Sequence, residues 1–367
     1  MPGIAYTLSI GLVPAPPTVV EAVQEIEVDA STEEASTFRI RLGLPQTPTG
    51  DWGVLELDPF RPLVPVGIRI QSGLGPPEAV INGYVTHQEA VYGDEPGGSY
   101  LEVSGMDVTY VMNLQEKVMP WPNLPDSGIA AAIFGQYAVI PEVQPTSPVI
   151  TEPEGTITQR GTDIRLLRRL AARNGFDCYV QPEPLTGVDT GYFRPPQLVG
   201  IPQGVLNVNL GTDTNTTGFR VRYEMTRPTA AVAAAVDPLT KSPQPAVAPV
   251  SARIPMGAEP TLLRIVPPPA VRPAETGLSR AGDLQRSIQA GVDRSSWAVM
   301  AEGHVGPDVP MLRPGRPVNI RGAGRVFNGS YHVTRVVHTI GPAGYRQRFE
   351  ARRNAVTMTG AELYAIP

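Results

Sequence analysis

The chain has 367 residues, room for two or three domains, and 41 prolines and 37 glycines against only 18% charged residues favour a turn-rich β protein. A net charge of −5 argues against a general polyanion binder, and a single cysteine, Cys178, excludes a disulfide framework. No apolar run approaches membrane-spanning length and the N-terminus lacks a basic region followed by an apolar core, so the protein is expected to stay in the cytoplasm unless it leaves by lysis or within a particle.

Charge is unevenly placed. Glu21, Glu25, Glu27, Asp29, Glu33 and Glu34 precede any basic residue, whereas Arg313 to Arg353 is a basic tract with Glu350 as its only acid. Such ends suit contact between neighbouring subunits, or form two separately solvated surfaces. Lys117 and Lys241 are the only lysines.

Residues 36–113 read as short strands broken by Gly and Pro: STFRIRLGL, VPVGIRIQSG, AVINGYVTHQEAV and SYLEVSGMDVTYVMNL. DSGIAAAIFGQYAV predicts a helix capped by Asp126 or Ser127. In TQRGTDIRLLRRLAARNGFDCYV, Thr162 suits an N-cap, Asp163 the positive end of the helix dipole, and Gly175 a left-handed C-cap. Ile164, Leu167, Leu170 and Ala171 form an apolar stripe opposite Arg165, Arg168, Arg169 and Arg173. Phe176, Cys178 and Val180 then alternate as in a half-buried strand, which makes Cys178 a small buried apolar residue. The arginines read as a solvated face. A groove-reading helix would add Asn, Gln or Ser toward base edges and sit in a basic domain.

Strands resume at VLNVNLG and GFRVRYEM. Residues 226–276, rich in Pro, Ala and Val, predict a long extended loop without regular helix or strand. Residues 277–304 predict a helical connection on Leu284, Ile288 and Val292, before the closing strands RPVNIRGAG, GSYHVTRVVHTI and GYRQRFEARRN.

No phosphate loop, dinucleotide fingerprint or nucleophile elbow occurs. SGMD at Ser104–Asp107 reads as a turn, Glu152 and Glu154 lie in a Pro/Gly loop, and Asp58 sits beside a proline. The histidines are His87, His304, His332 and His338. His332 and His338 share a strand and a face but stand roughly 20 Å apart, too far for one metal. No catalytic, metal or cofactor-binding residue is expected, and no cofactor.

Residues 64–107 and 313–354 form an approximate repeat: a Gly-preceded strand, an Asn-Gly pair (Asn82-Gly83 and Asn328-Gly329) read as a hairpin turn or bulge, a Tyr-bearing strand ending in His, and a closing strand. His87 and His338 then hold equivalent, structural places.

These segments, in this order, resemble the late-control D / VgrG family of tail-hub proteins of contractile phages and injection machines. STFRIRL is similar to its first core strand, LEVSGMDVTYVMN to its step into the middle domain, and TQRGTDIRLLRRLAARNGFDCYV to its most recognisable segment; YRQRFEARRN matches its terminal Arg-Asn. The resemblance implies an α+β, mainly β fold with two similar tube-protein-like β-barrel domains, an α/β middle domain and a long Pro-rich loop. The expected division is 1–112 for the first barrel, 113–185 for the middle domain, 186–225 with 305–356 for the second barrel, 226–276 for the loop and 277–304 for the helical connection.

It further implies a non-enzymatic homotrimer joining a hexameric tail tube ring to a separate trimeric spike, among other baseplate subunits. The VgrG needle is expected to be replaced by that separate spike polypeptide. Neither nucleic-acid binding nor membrane insertion is expected. Assembly would be cytoplasmic, followed by incorporation into a virion tail or injection particle. The alternative function is a baseplate-associated peptidoglycan-degrading enzyme, which needs a catalytic constellation the sequence lacks.

Overall fold

The computed structural model describes residues 5–71, 75–95, 97–147, 156–227, 230–236, 241–264, 271–273, 281–362 and 364. Glu152, Glu154 and residues 274–280 of the expected loop and helical connection lie outside these.

The first unit contains β1 (Ala5–Ile10), β2 (Val13–Pro14), α1 (Pro17–Ala22), β3 (Val23–Ser31), β4 (Thr37–Gly43), α2 (Gly53–Leu57), β5 (Pro65–Gln71), β6 (Glu78–Val91) and β7 (Tyr100–Asp107). Its strands alternate as a one-sided sheet requires. In β3, Ile26, Val28 and Ala30 are buried while Glu25, Glu27 and Asp29 face outward. Phe38, Ile40 and Leu42 of β4 join the same core, each worth about 1.5–3 kcal/mol of burial.

An α/β layer follows: α3 (Val108–Val111), β8 (Lys117–Trp121), α4 (Asp126–Gln136), β9 (Ile140–Val143), β10 (Ile157–Gly161), α5 (Asp163–Asn174), β11 (Asp177–Pro182) and β12 (Asp189–Arg194). Ile164, Leu166, Leu167, Leu170 and Ala171 of α5 pack with Ile129, Ile133 and Phe134 of α4 and with Cys178, Val180 and Phe193. Gly175 closes α5 in the left-handed conformation, φ 70°. The caps differ from expectation. Thr162 gives its hydroxyl to Asn113 instead of the helix, and α4 starts after Pro125 with no side-chain cap. Asp126 is drawn away by Arg173 and Asn174 of α5. Arg165, Arg168 and Arg169 do face solvent; Arg173 is spent on that ion pair.

The rest comprises β13 (Val205–Asn207), β14 (Thr216–Tyr223), β15 (Ala230–Val236), β16 (Pro243–Ala248), β17 (Glu259–Pro260), β18 (Val271–Pro273), α6 (Ala281–Ser295), β19 (Val299–Val305), β20 (Pro317–Arg321), β21 (Gly329–Gly341), β22 (Gly344–Arg353) and β23 (Ala355–Val356). Residues 226–276, expected to lack regular structure, carry the three-stranded sheet β16-β15-β18. The prolines do not prevent it, because Pro243 and Pro245 occupy the edge strand β16, where a missing N–H can face solvent. Ala231, Ala246 and Ala248 bury against Leu284, Ile288 and Val292 of α6. The helical connection ends at Ser295, and Val299–Val305 is a strand.

The repeat is deeper than the sequence shows. The first unit has strand order β3-β4-β7-β6-β5 and the second β14-β19-β22-β21-β20, with every neighbour antiparallel. Pro65 faces Tyr84 as Pro317 faces His332, so PVGIR and PVNIR are equivalent. Each central strand bulges at a threonine, Thr86 or Thr334, whose hydroxyl donates to the carbonyl of the next strand, Ser104 or Glu350, at 3.3 Å. Before each bulge the same two backbone bonds close the ladder. Leu63 N–H donates to Val85 and Val85 N–H to Val64; Gly315 N–H donates to Val333 and Val333 N–H to Arg316. Leu63 and Gly315 are both left-handed, φ 62° and 83°.

This register revises three expectations. Val85-Thr86-His87 aligns with Val333-Thr334-Arg335, so His87 corresponds to Arg335, and His87 is exposed while His338 is buried. Neither Asn-Gly pair turns the chain: Asn82-Gly83 lies inside β6 and Gly329 opens β21. A Cβ on Gly83 would stand 2.8 Å from the Phe38 ring, so close packing selects this glycine. Finally, the bulge breaks the alternation along β21. Val333 and Val336 share one core, which puts His332 and His338 on opposite faces.

The mainly β expectation holds, with two similar units flanking an α/β layer. The units are not separate closed barrels. Strand β3 pairs with β21, and the sheet runs continuously as β14-β19-β22-β21-β3-β4-β7-β6-β5-β1-β2 without closing among the described residues.

Candidate functional site: an assembly interface

The most functionally telling feature is the joint where β3 of the first unit meets β21 of the second. β21 serves three neighbours. β22 lies along one edge, and the other edge is divided at the Thr334 bulge between β20 before it and β3 after it. Thr32 N–H donates to the bulged Thr334 carbonyl at 3.0 Å, anchoring the incoming strand. On the core face Ile26, Val28 and Ala30 are fully buried. On the outer face Arg335 Nε donates to Asp29 Oδ1 at 2.8 Å, and Arg335 also pairs with Glu350 at 3.5 Å. The hydrogen-bonded Asp29 carboxylate holds the Arg335 guanidinium protonated even more firmly than usual. Arg352 pairs with Glu33 at 2.6 Å. Part of the acidic N-terminal stretch therefore meets the basic C-terminal tract within one chain.

A second contact ties the sheet to the loop that follows β16. Arg353 is fully buried, and the charge it carries is met mainly by backbone carbonyls, with Glu362 adding a weaker attraction. Its Nε and Nη2 donate to Met256 O at 3.0 and 2.8 Å, Nη1 to Asn328 O at 2.6 Å and Nη2 to Thr357 O at 3.0 Å. Gly329, φ 128°, leaves room for this group, since a Cβ there would lie 2.6 Å from Nη2. Asn354 completes the clamp through Met256 N–H and Ile254 O, both at 2.9 Å. Burial lowers the Arg353 pKa, partly countered by Tyr331.

The α/β layer has its own polar centre, which the sequence reading reduced to a helix-dipole residue. Asp163 is buried and accepts from Lys117, from Tyr137 Oη at 2.6 Å and from Gln159 Nε2 at 2.7 Å. Trp121 Nε1 in turn donates to Gln159 at 3.0 Å. Burial opposes ionisation of Asp163, but these donors outweigh it and hold the carboxyl below its ordinary pKa. Gln159 and Asp163 are the two polar residues that the segment carrying the family resemblance contributes to this centre.

Histidines and acids are dispersed. His332 stacks on Trp297 at 5.6 Å with Nδ1 3.0 Å from Gln197 O; His338 stacks on Tyr345 with Nδ1 2.8 Å from its hydroxyl. Burial lowers both imidazoles to about 3. Burial likewise raises Asp177 to about 6 and Cys178 to about 12, leaving an inert thiol. Ser104–Asp107 is the end of β7, not a turn, and Asp107 accepts from Ser36 and Thr109 N–H at 2.8 and 2.9 Å. Asp58 is exposed in a left-handed turn beside Arg61. Among the described residues no group of three His, Cys, Asp or Glu converges to hold a metal, and no helix is long and apolar enough to cross a membrane.

No family model matches the sequence, and no curated protein does. Solved structures do. A tail protein from Neisseria meningitidis MC58 superposes with TM-score 0.68 at 13% identity, covering 96% of this chain and 97% of that one. The 43 kDa tail protein of prophage MuSo2 from Shewanella oneidensis gives 0.69 at 15% identity, covering 96% and 100%. An E. coli type VI secretion component described as structurally similar to the T4 tail proteins gp27 and gp5 gives 0.57 at 12%, covering 94% and 76%. Over nearly its whole length, this chain has the fold of phage tail and type VI secretion proteins.

Proposed function

We propose that the chain is a structural hub of a contractile phage-tail-like particle, a homotrimer that joins the hexameric inner tube to a trimeric spike within the baseplate. The observation that carries this reading is the five-strand repeat. Three chains with two equivalent units each present six similar sheets to a six-fold ring and keep a true three-fold axis for the spike. The resemblance in sequence and the likeness in fold to tail proteins support it. The work is interfacial, without bond chemistry. The hub would assemble in the cytoplasm and act in a virion tail or injection particle.

Copy number tests the proposal. Purified particles, quantified against the tube protein of one ring, should contain three copies of this chain for six of tube. Six copies would overturn symmetry matching. Incubation of the purified protein with cell wall should release no muropeptides; release would favour the peptidoglycan-degrading alternative.

A further inference from the structure

The internal joint is a template for a contact that the single chain leaves open. β3 finds its partner on β21, but its equivalent, β14, ends the sheet with one edge free among the described residues. The equivalent of β21 is β6, and beyond Val85 no strand pairs with β6 on the side away from β7 among the described residues. One free strand, β14, and one free receiving edge, the distal half of β6, therefore remain among the described residues, and they correspond to the two halves of the joint already seen inside the chain. A free edge invites strand addition.

We infer that β14 of one copy pairs antiparallel with the distal half of β6 in a second copy, in the register of β3 on β21. The inference rests on the hub reading and names the surface by which its copies meet. The register follows from the ladders. Asp29 corresponds to Arg222, because they face Thr37 and Met300, which in turn face Met106 and Arg352. Val337 corresponds to Glu89, because they face Arg348 and Glu102. Since Val337 faces Asp29 in the joint, Glu89 faces Arg222 between copies. By the same shift His87 faces Glu224, and Met225 N–H reaches the bulged Thr86 carbonyl as Thr32 N–H reaches Thr334.

Two independent features agree. The first is burial: Ile26 and Val28 are sealed inside the internal joint, whereas their equivalents Phe219 and Val221 are only half-buried, as expected of an edge awaiting a neighbour. The second is charge. The Arg39–Glu27 pair at 3.3 Å becomes Glu302–Arg220 at 3.8 Å with signs exchanged, and the acid Asp29 becomes the base Arg222. The Arg220 and Arg222 side chains are 83% and 71% exposed, and their ion pairs are long, at 3.8 and 3.9 Å. The receiving strand answers with Glu89, where the internal joint has Val337. Opposite charges directly across a ladder stabilise it and like charges oppose it. The exchange separates the contact between copies from the joint within a chain.

The contact is head-to-tail, so it closes only if the rotation permits. Facing residues of an antiparallel pair stand about 4.5–5.5 Å apart at Cα, within disulfide range. The test is the full-length Glu89→Cys/Arg222→Cys variant, oxidised and sized on a non-reducing gel and by mass. The expected product is a covalent closed trimer of about 118 kDa, three times the 39.3 kDa chain. Each single-cysteine variant should stay uncrosslinked. Glu89→Arg should weaken association roughly tenfold, and Glu89→Arg/Arg222→Glu should restore it. A trimer that forms but does not crosslink would overturn the edge pairing while leaving the hub reading intact. A crosslinked ladder running past three would uphold the edge pairing and overturn the three-fold reading. Absence of both association and crosslinking at high protein concentration would also overturn the pairing.

Discussion

Arg353 offers the sharpest test of how the second unit is held. Arg353→Met keeps most of the aliphatic stem and removes every donor. Two carbonyls, of Met256 and Asn328, are then stranded in a dry site at about 1–3 kcal/mol each, while Thr357 O keeps its bond from Ala258 N–H. Relief from burying an unpaired cation offsets part of that, since burial already lowers this guanidinium's pKa. The net loss should be about 2–4 kcal/mol, and Arg353→Lys, which keeps one of these carbonyls bonded, should lose about half as much. Equilibrium urea denaturation followed by tryptophan fluorescence measures both, since Trp297 lies just before β19 of this unit. Hydrogen exchange should also show the 254–257 backbone opening first. A loss below about 1 kcal/mol for Arg353→Met, with exchange there unchanged, would refute the idea that the buried guanidinium holds this loop to the sheet.

His332 and His338 have folded pKa values near 3 against an ordinary 6.5, so the unfolded chain binds more protons between these values and stability should fall as pH drops below about 6.5. Asp177, raised to about 6, acts in the opposite direction, its stabilising proton being lost as pH rises through 6. His338→Gln, which retains a partner for Tyr345, should therefore flatten the acid limb of a stability-versus-pH curve, and an unchanged slope would contradict this account. Leu284→Ala should cost about 2–5 kcal/mol in the small α6 sheet module and render residues 243–248 protease-sensitive, whereas in the parent they should resist cleavage like the main sheet.

The periodic parts of this fold were legible in the sequence. Short apolar runs between Gly and Pro marked β4, β5, β6 and β7, the leucine stripe with Gly175 marked α5, and two strand-strand-strand passages announced the repeat. What misled was local punctuation. Asn-Gly signals a turn only when both residues are free to turn; here Gly83 is fixed by the Phe38 ring and Gly329 by Arg353, contacts made by residues remote in sequence. Proline density at 226–276 suggested a loop because the sequence does not reveal that Pro243 and Pro245 fall on a sheet edge. The histidines were misplaced for a similar reason: one extra residue at Thr334 reverses every later side chain of β21. The joint itself was invisible, since it depends on pairing between Val23–Ser31 and a strand some three hundred residues away.

The two units differ most at one hairpin. In the first, residues 32–36 carry the chain from β3 to β4; in the second, residues 224–298 separate β14 from β19 and hold the α6 sheet module. The strands on either side keep the same antiparallel ladder in both units. This corner of the sheet therefore tolerates a whole folded cassette without any change in the ladder that frames it. The 32–36 loop has no such freedom, because Thr32, Glu33 and Ser36 are tied to Thr334, Arg352 and Asp107; only the 224–298 corner is open to a change of cargo.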